Sequence, residues 1–184
     1  MTPQFRPAQH GDAAALAALS IQVWIGTYLK RGIAQSFADY ALATYTTAHM
    51  EALIADPRQL MIVSLNEDGL DGYVRATLDA SPPEANTPPG ALPGPHAEIA
   101  TLYVQPRHHG TGRGTGLLAQ IRLACRARGM QAIWLTTNSE NTPAIAFYHA
   151  YGFTHLGQTK FWIGEDGYPN DVFGLTLTPV HTGV

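Results

Sequence analysis

Apolar residues run from Leu60 to Leu65, and a second such run, mixed with polar positions, spans Asp71 to Leu78. The polar segment Asn66-Glu67-Asp68-Gly69 between them predicts a β-hairpin. Upstream, Phe5-Arg6-Pro7 reads as the end of a first strand. Asp12 is placed to cap a helix over Ala13 to Gln22. A second helical stretch covers Val23 to Lys30, ending near Gly32, and a third covers Phe37 to Ala55, with Asp56-Pro57 as its stop. Asp79 to Pro95 holds six of the thirteen prolines and reads as a mobile or lid-like loop. Downstream, Glu98 to Val104 predicts a strand, Gly114 to Arg128 a helix ended by Gly129, and Ala132 to Thr136 another strand. Thr142-Pro143 starts a short helix over Ala144 to Ala150, which Gly152 ends. Phe153 to Ile163 and Val172 to Leu177 are the last strands, joined through residues 164–170. Meandering strands followed by a strand–helix–strand crossover predict an α+β domain on a mixed sheet.

Composition narrows the class. At 184 residues and 45% hydrophobic, the chain is expected to form one globular domain spanning residues 1–184. A net charge of −3 gives no global signal for nucleic acid. Arg107, Arg113, Arg122, Arg126 and Arg128 are local cations that suit a small polyanion better than a duplex. The single cysteine, Cys125, excludes an intramolecular disulfide and reads as a core residue rather than a nucleophile. Ala13 to Leu19 is apolar, but Asp12 precedes it and no Lys/Arg cluster frames it, so it reads as helix rather than leader. With no stretch of membrane-spanning length, the expectation is a cytoplasmic protein that engages no membrane and no nucleic acid.

Chemistry concentrates after Val104. Pro106 stops the strand, and glycines then occupy alternate positions at Gly110, Gly112, Gly114 and Gly116, directly before an apolar-periodic helix. A strand–glycine loop–helix unit aims bare backbone N–H groups at a phosphate. Glycine lets the backbone approach closely and adopt φ > 0 without strain. A dinucleotide fingerprint fails, because its third glycine would fall at Thr115 or Leu117. A Walker A loop fails because the segment has no lysine. Adjacent His108 and His109 lack the partner spacing of a metal site, so no metal is expected.

A second motif, Asn138 to Phe153, lies one strand further on. The two segments together resemble the GNAT superfamily of acyl-CoA-dependent N-acyltransferases. His109-Gly110-Thr111-Gly112-Arg113-Gly114 is similar to the family's Arg/Gln-x-x-Gly-x-Gly/Ala pyrophosphate cradle, with His109 standing where Arg or Gln is usual. Asn141, Ala144, Phe147, Tyr148, Gly152 and Phe153 match its Asn-x-x-Ala-x-x-Phe-Tyr-x-x-x-Gly-Phe segment. The opening Phe-Arg-Pro-Ala with Asp12 also resembles the family's. The resemblance implies a single domain with a mixed, mainly antiparallel central sheet flanked by helices. It also implies acetyl-CoA as cosubstrate, an amine acceptor (a small molecule or a peptide), and a monomer or homodimer.

Acyl transfer from a thioester to an amine makes three demands. The amine must be neutral, although an alkyl ammonium has a pKa of about 10. The developing oxyanion needs a fixed donor. The departing thiolate needs a proton. The resemblance points to Glu98 as the base, with an ion-paired or solvent-facing strand-end glutamate as the alternative. Simple alternation puts Glu98 on the face of Leu102 and Val104, unless a bulge of the kind common in the family changes the parity. Tyr148 matches the tyrosine that protonates the CoA sulfur, with packing as the alternative. Tyr103, Val104 and their neighbours are expected to offer strand-edge N–H groups to the pantetheine and the thioester oxygen. His109, Gly110, Gly112, Arg113, Gly114, Thr115, Gly116 and Leu117 would form the cradle, Arg113 adding a charge or pointing to solvent. Asn141, with Ala144 and Phe147, would flank the CoA arm, or Asn141 would cap its helix.

The acceptor side is less legible. Trp24 and Tyr28 share a helix face and would wall the acceptor pocket or pack in the core. The proline-rich loop would lie near the acceptor by fold analogy. Trp162, Glu165, Asp166, Tyr168 and Asp171 would form either an acidic, aromatic cleft wall or a solvated turn. A non-catalytic acyl-CoA-binding or sensor module on the same fold is the competing reading.

Overall fold

The computed structural model describes residues 3–29, 31–83, 88 and 90–177, the side chain of Tyr28 excepted. Seven strands pair into one sheet: β1 Gln4–Pro7, β2 Gln59–Asn66, β3 Gly69–Leu78, β4 His96–Val104, β5 Ala132–Asn138, β6 Thr154–Ile163 and β7 Asp166–Thr176. Their order is β1-β2-β3-β4-β5-β7-β6. Every neighbouring pair is antiparallel except β4–β5, which is parallel. This is the mixed, mainly antiparallel sheet expected from the sequence. Helices α1 (Ala13–Tyr28), α2 (Gln35–Thr44) and α3 (Thr47–Ala55) cover one face; α4 (Arg113–Ala127) and α5 (Thr142–Ala150) cover the other.

Each face has its own core. Under α4 and α5, Leu117, Leu118 and Ile121 pack on Val74, Ile99 and Ile133, with Tyr148, Phe153 and Phe173 at the α5 end. Gly116 allows α4 this approach: a Cβ there would lie 2.1 Å from the Phe5 ring. On the other face, Leu16, Leu19 and Val23 of α1 meet Met50, Val63 and Tyr73. Cys125 is fully buried, and burial pushes its thiol up to about 12, so it acts as a core residue. No helix among the described residues is long and apolar enough to cross a membrane.

Several boundaries differ from the sequence reading. The two helices expected over 13–30 are one, because nothing at Gln22–Val23 breaks the ladder and Trp24 is buried in the continuing turn. The single helix expected over 37–55 is two. Thr46 takes an extended conformation and its hydroxyl accepts from the His49 N–H (3.1 Å), capping α3. Asp12 does not cap α1 with its side chain. Its carboxylate instead accepts from the Arg6 guanidinium (2.6 and 2.9 Å) and the Gln9 N–H (2.8 Å), tying β1 to the start of α1. Strand β7 begins at Asp166, so residues expected to be loop extend a hairpin closed by Gly164-Glu165. The centre of the proline-rich loop, 84–87 and 89, lies outside the described residues. Its ends are tied down: the Trp134 indole donates to the Ala80 carbonyl (2.7 Å), and Leu92 lies against Gly174.

Candidate active site

The site begins where β4 and β5 part. They pair only through His96–Ala132, Ala97–Ile133 and Glu98–Trp134. Beyond these, β4 keeps β3 on one edge and leaves the other open up to Val104. Gln105 donates its N–H to the Asp71 carbonyl of β3 (2.9 Å). By the two-residue period of a strand, Tyr103 also faces β3, whereas Leu102 and Val104 turn their N–H groups to the open edge. Of the strand-edge N–H groups expected as donors, those of Val104 and its neighbour Leu102 face the open edge, whereas that of Tyr103 does not. Tyr103 contributes its side chain on the α1 face, where its hydroxyl lies 3.2 Å from that of Tyr45.

The open edge leads into the glycine loop. Gly110 (φ 75°) and Gly112 (φ 84°) are both left-handed, a conformation that gathers successive N–H groups into a concavity. The first helical bond of α4 runs from the Gly116 N–H to the Gly112 carbonyl (2.9 Å). The N–H groups of Arg113, Gly114 and Thr115 thus precede the helical ladder at its positive end. Gly116 and Leu117, expected in the cradle, are engaged elsewhere. The Gly116 N–H is used within α4, and Leu117 is fully buried in the core. His109 donates Nε2–H to the Val104 carbonyl (3.0 Å), tying the loop back to the end of β4.

Arg113 is largely shielded from solvent. Its side chain turns inward, 8% exposed overall, and Nε donates to the fully buried Asp71 carboxylate. The sequence marks Asp71 only as the first residue of a strand, a lone acid between a turn and an apolar run. Across the gap, α5 faces the start of α4. A Cβ on Gly114 would touch the Phe147 ring at 3.7 Å, and Thr115 Oγ1 lies 2.6 Å from the Tyr151 hydroxyl. Asn141 caps α5, its Oδ1 accepting from the Ala144 N–H (3.3 Å), so the capping alternative is realised by its oxygen. The Tyr148 ring is 8% exposed and lies 5.5 Å from that of Phe153.

Glu98 sits on the other face. Register passes from Arg75–Thr101 to Ala76–Ile99, so Ala100 is an extra residue and β4 is bulged there. Parity is reversed across the bulge: Ala97, Ile99, Leu102 and Val104 face α4, while Glu98, Thr101 and Tyr103 face α1 and α2. Simple alternation fails for Glu98, and the bulge given as its alternative in the sequence is present and sets the opposite face. Burial pushes the Glu98 carboxyl up, an effect opposed by the Arg75 charge.

Aromatic side chains span the gap on this face. Trp24, 2% exposed, stacks on Tyr40 (5.1 Å) and touches Phe37 and Tyr45. Tyr40 meets Phe161 of β6, Phe37 meets Tyr168 of β7, and Tyr45 meets Tyr103 of β4. Helix α2 and Tyr45 at its C-terminal cap together therefore bridge the two halves of the split sheet. The C-terminal acidic and aromatic group is dispersed. Tyr168 joins this cluster, Trp162 is exposed with Lys160 over its ring (5.5 Å), and Asp171 accepts from Ser139 (3.0 Å) and Gln158 (2.9 Å). Among the described residues, no group of three or more His, Cys, Asp or Glu could hold a metal.

The model of the acetyltransferase (GNAT) family matches residues 30–153. An uncharacterised N-acetyltransferase of Mycobacterium bovis is 23% identical over 153 residues, covering 83% of this chain and 90% of that protein. The PaiA N-acetyltransferase of Thermoplasma acidophilum, solved with coenzyme A, superposes with a TM-score of 0.74 at 16% identity, covering 96% and 99% of the two chains. YncA of Salmonella typhimurium, a putative acetyltransferase solved with acetyl-CoA, superposes with a TM-score of 0.61 at 19% identity, covering 97% and 95%. An open strand edge running into a glycine loop, on a sheet of this topology and with this match, has one family assignment: the chain belongs to the GNAT acetyltransferase family.

Proposed function

We propose that this protein transfers an acetyl group from acetyl-CoA to an amine by direct attack. The observation that carries the reading is a pair of backbone donor sets at one end of the sheet: Leu102 and Val104 on the open edge of β4, and the loop of Gly110 and Gly112 with the first turn of α4. The pair suits an extended ligand that ends in a pyrophosphate. Arg113, Gly114 and Thr115 would offer N–H groups to the phosphates. Acetyl-CoA supplies the acetyl thioester when bound, and the rest of the chemistry falls to this chain. Glu98 takes a proton from the attacking nitrogen. As the N–C bond forms and the C–S bond breaks, Tyr148 Oη gives a proton to the departing sulfur. Glu98 belongs to the α1–α2 face and Tyr148 to the α4–α5 face. Glu98 lies at the last rung before β4 and β5 part; in this reading Tyr148 reaches the gap from the α5 side, and the acceptor enters from the side of Trp24, Tyr45 and Tyr103.

The test is thiol release from acetyl-CoA across a panel of primary amines. Amine-dependent release that is lost in Tyr148→Phe supports the reading. Acetyl-CoA binding without turnover for any amine supports the non-catalytic binding module instead.

A further inference from the structure

We propose that Asp71 is a positioning residue for the phosphate-binding loop, acting through Arg113; this rests on the cofactor reading above. Pairing of β2 with β3 passes from Leu65–Leu70 to Ser64–Gly72, so Asp71 is skipped. It is the extra residue of a β-bulge, a device that re-aims a side chain. The bulge turns its carboxylate toward α4, where Oδ2 accepts from Arg113 Nε. The side chains are 9% (Arg113) and 0% (Asp71) exposed. The same guanidinium also holds the loop: Arg113 Nη1 donates to Thr111 Oγ1 (2.8 Å), and Thr111 Oγ1 donates to the His108 carbonyl. One chain of bonds therefore ties β3 to both ends of the segment 108–113 that holds the two left-handed glycines. Asp71 Oδ1 accepts no hydrogen bond among the described residues, leaving Arg113 as the hydrogen-bonded partner of the buried carboxylate.

A buried ion pair is a poor way to gain stability, since apolar side chains of similar volume commonly do as well. What it adds is direction. A guanidinium fork fixes distance and angle, whereas apolar contacts slide. The loop binds through backbone N–H groups, so its affinity depends on where the backbone is held. Asp71 touches neither cofactor nor acceptor.

The test compares Asp71→Asn, Arg113→Lys and the double variant Asp71→Leu/Arg113→Leu in the full chain. It measures unfolding midpoint, acetyl-CoA Kd, and KM and kcat. The double leucine variant is expected to keep its midpoint while acetyl-CoA affinity weakens by about tenfold or more and kcat at saturation changes by less than about threefold. Arg113→Lys, which keeps the charge and loses the fork, should show the same split more weakly and carries the test alone if the double variant does not fold. Wild-type affinity in a folded double variant, or in Arg113→Lys, overturns the proposal. So does tighter binding by Asp71→Asn, which would show that a released Arg113 serves the phosphates itself. A wild-type protein that binds no acetyl-CoA overturns the cofactor reading, and this inference with it.

Discussion

The two faces of the sheet build their halves of the site by different means. On the α4–α5 face the donors are main-chain groups: the open edge of β4, two left-handed glycines and the first turn of α4. On the α1–α3 face the surfaces are side chains from distant segments: Trp24, Phe37, Tyr40 and Tyr45 against Tyr103, Phe161 and Tyr168. Backbone recognition tolerates sequence change outside the glycines. A side-chain surface changes with each substitution. One fold can thus keep its cofactor while its acceptor varies.

The largest effect should come from the two groups proposed to move protons, one on each face. Tyr148→Phe is expected to lower turnover by about 10²–10⁴-fold while acetyl-CoA affinity holds, measured by thiol release and calorimetry. Glu98→Gln should lower turnover over a similar range and remove the acid limb of the pH–rate profile. Because burial raises the Glu98 pKa, that limb should lie above the ordinary glutamate range. The same shift disfavours the folded state once Glu98 ionises. Glu98→Gln should therefore raise the thermal midpoint at pH 7, and the difference should vanish as pH falls below about 4.

Next in size is a direct separation of the faces. Gly112→Val forces a β-branched residue to φ 84°. The strain is about 1–3 kcal/mol; the free loop relieves it by leaving the binding conformation, so acetyl-CoA affinity should fall, by at most roughly five- to 150-fold. Tyr40→Leu removes a stacking partner of Trp24 and should change acceptor KM by several-fold, or about 1 kcal/mol, while acetyl-CoA affinity is unchanged. Equal effects of both variants on both ligands would break the distinction.

The smallest effect concerns how α1 enters the fold. Arg6 holds the Asp12 carboxyl below its usual range, so its contribution is present near neutrality and is lost as pH falls through that lowered value. Asp12→Asn should cost about 1 kcal/mol at pH 7 by urea unfolding, with the gap closing in acid.

What could be read in the sequence follows the same division. The glycine loop, the helix after it and the Asn141–Phe153 segment were legible because each is a local pattern whose conformation its own residues dictate. Strand pairs with apolar runs and short turns were legible for the same reason. The bulge at Ala100, which decides the face of Glu98, is a matter of register between β3 and β4, and no residue type marks it. The inward turn of Arg113 depends on Asp71, forty-two positions away in sequence. Tyr40 and Tyr45 were lost inside a helix read as continuous, because the break after Thr44 is set by Thr46 capping α3 and by Tyr45 packing on Trp24.

The most direct test of the central claim is calorimetric titration of the folded protein with acetyl-CoA, with desulfo-CoA and ADP as comparisons. Saturable one-to-one binding of acetyl-CoA, much tighter than ADP, is expected from a site that reads the pantetheine along β4 as well as the phosphates at α4. Absence of acetyl-CoA binding, or binding no tighter than ADP, would contradict it and leave the open edge of β4 without its proposed ligand.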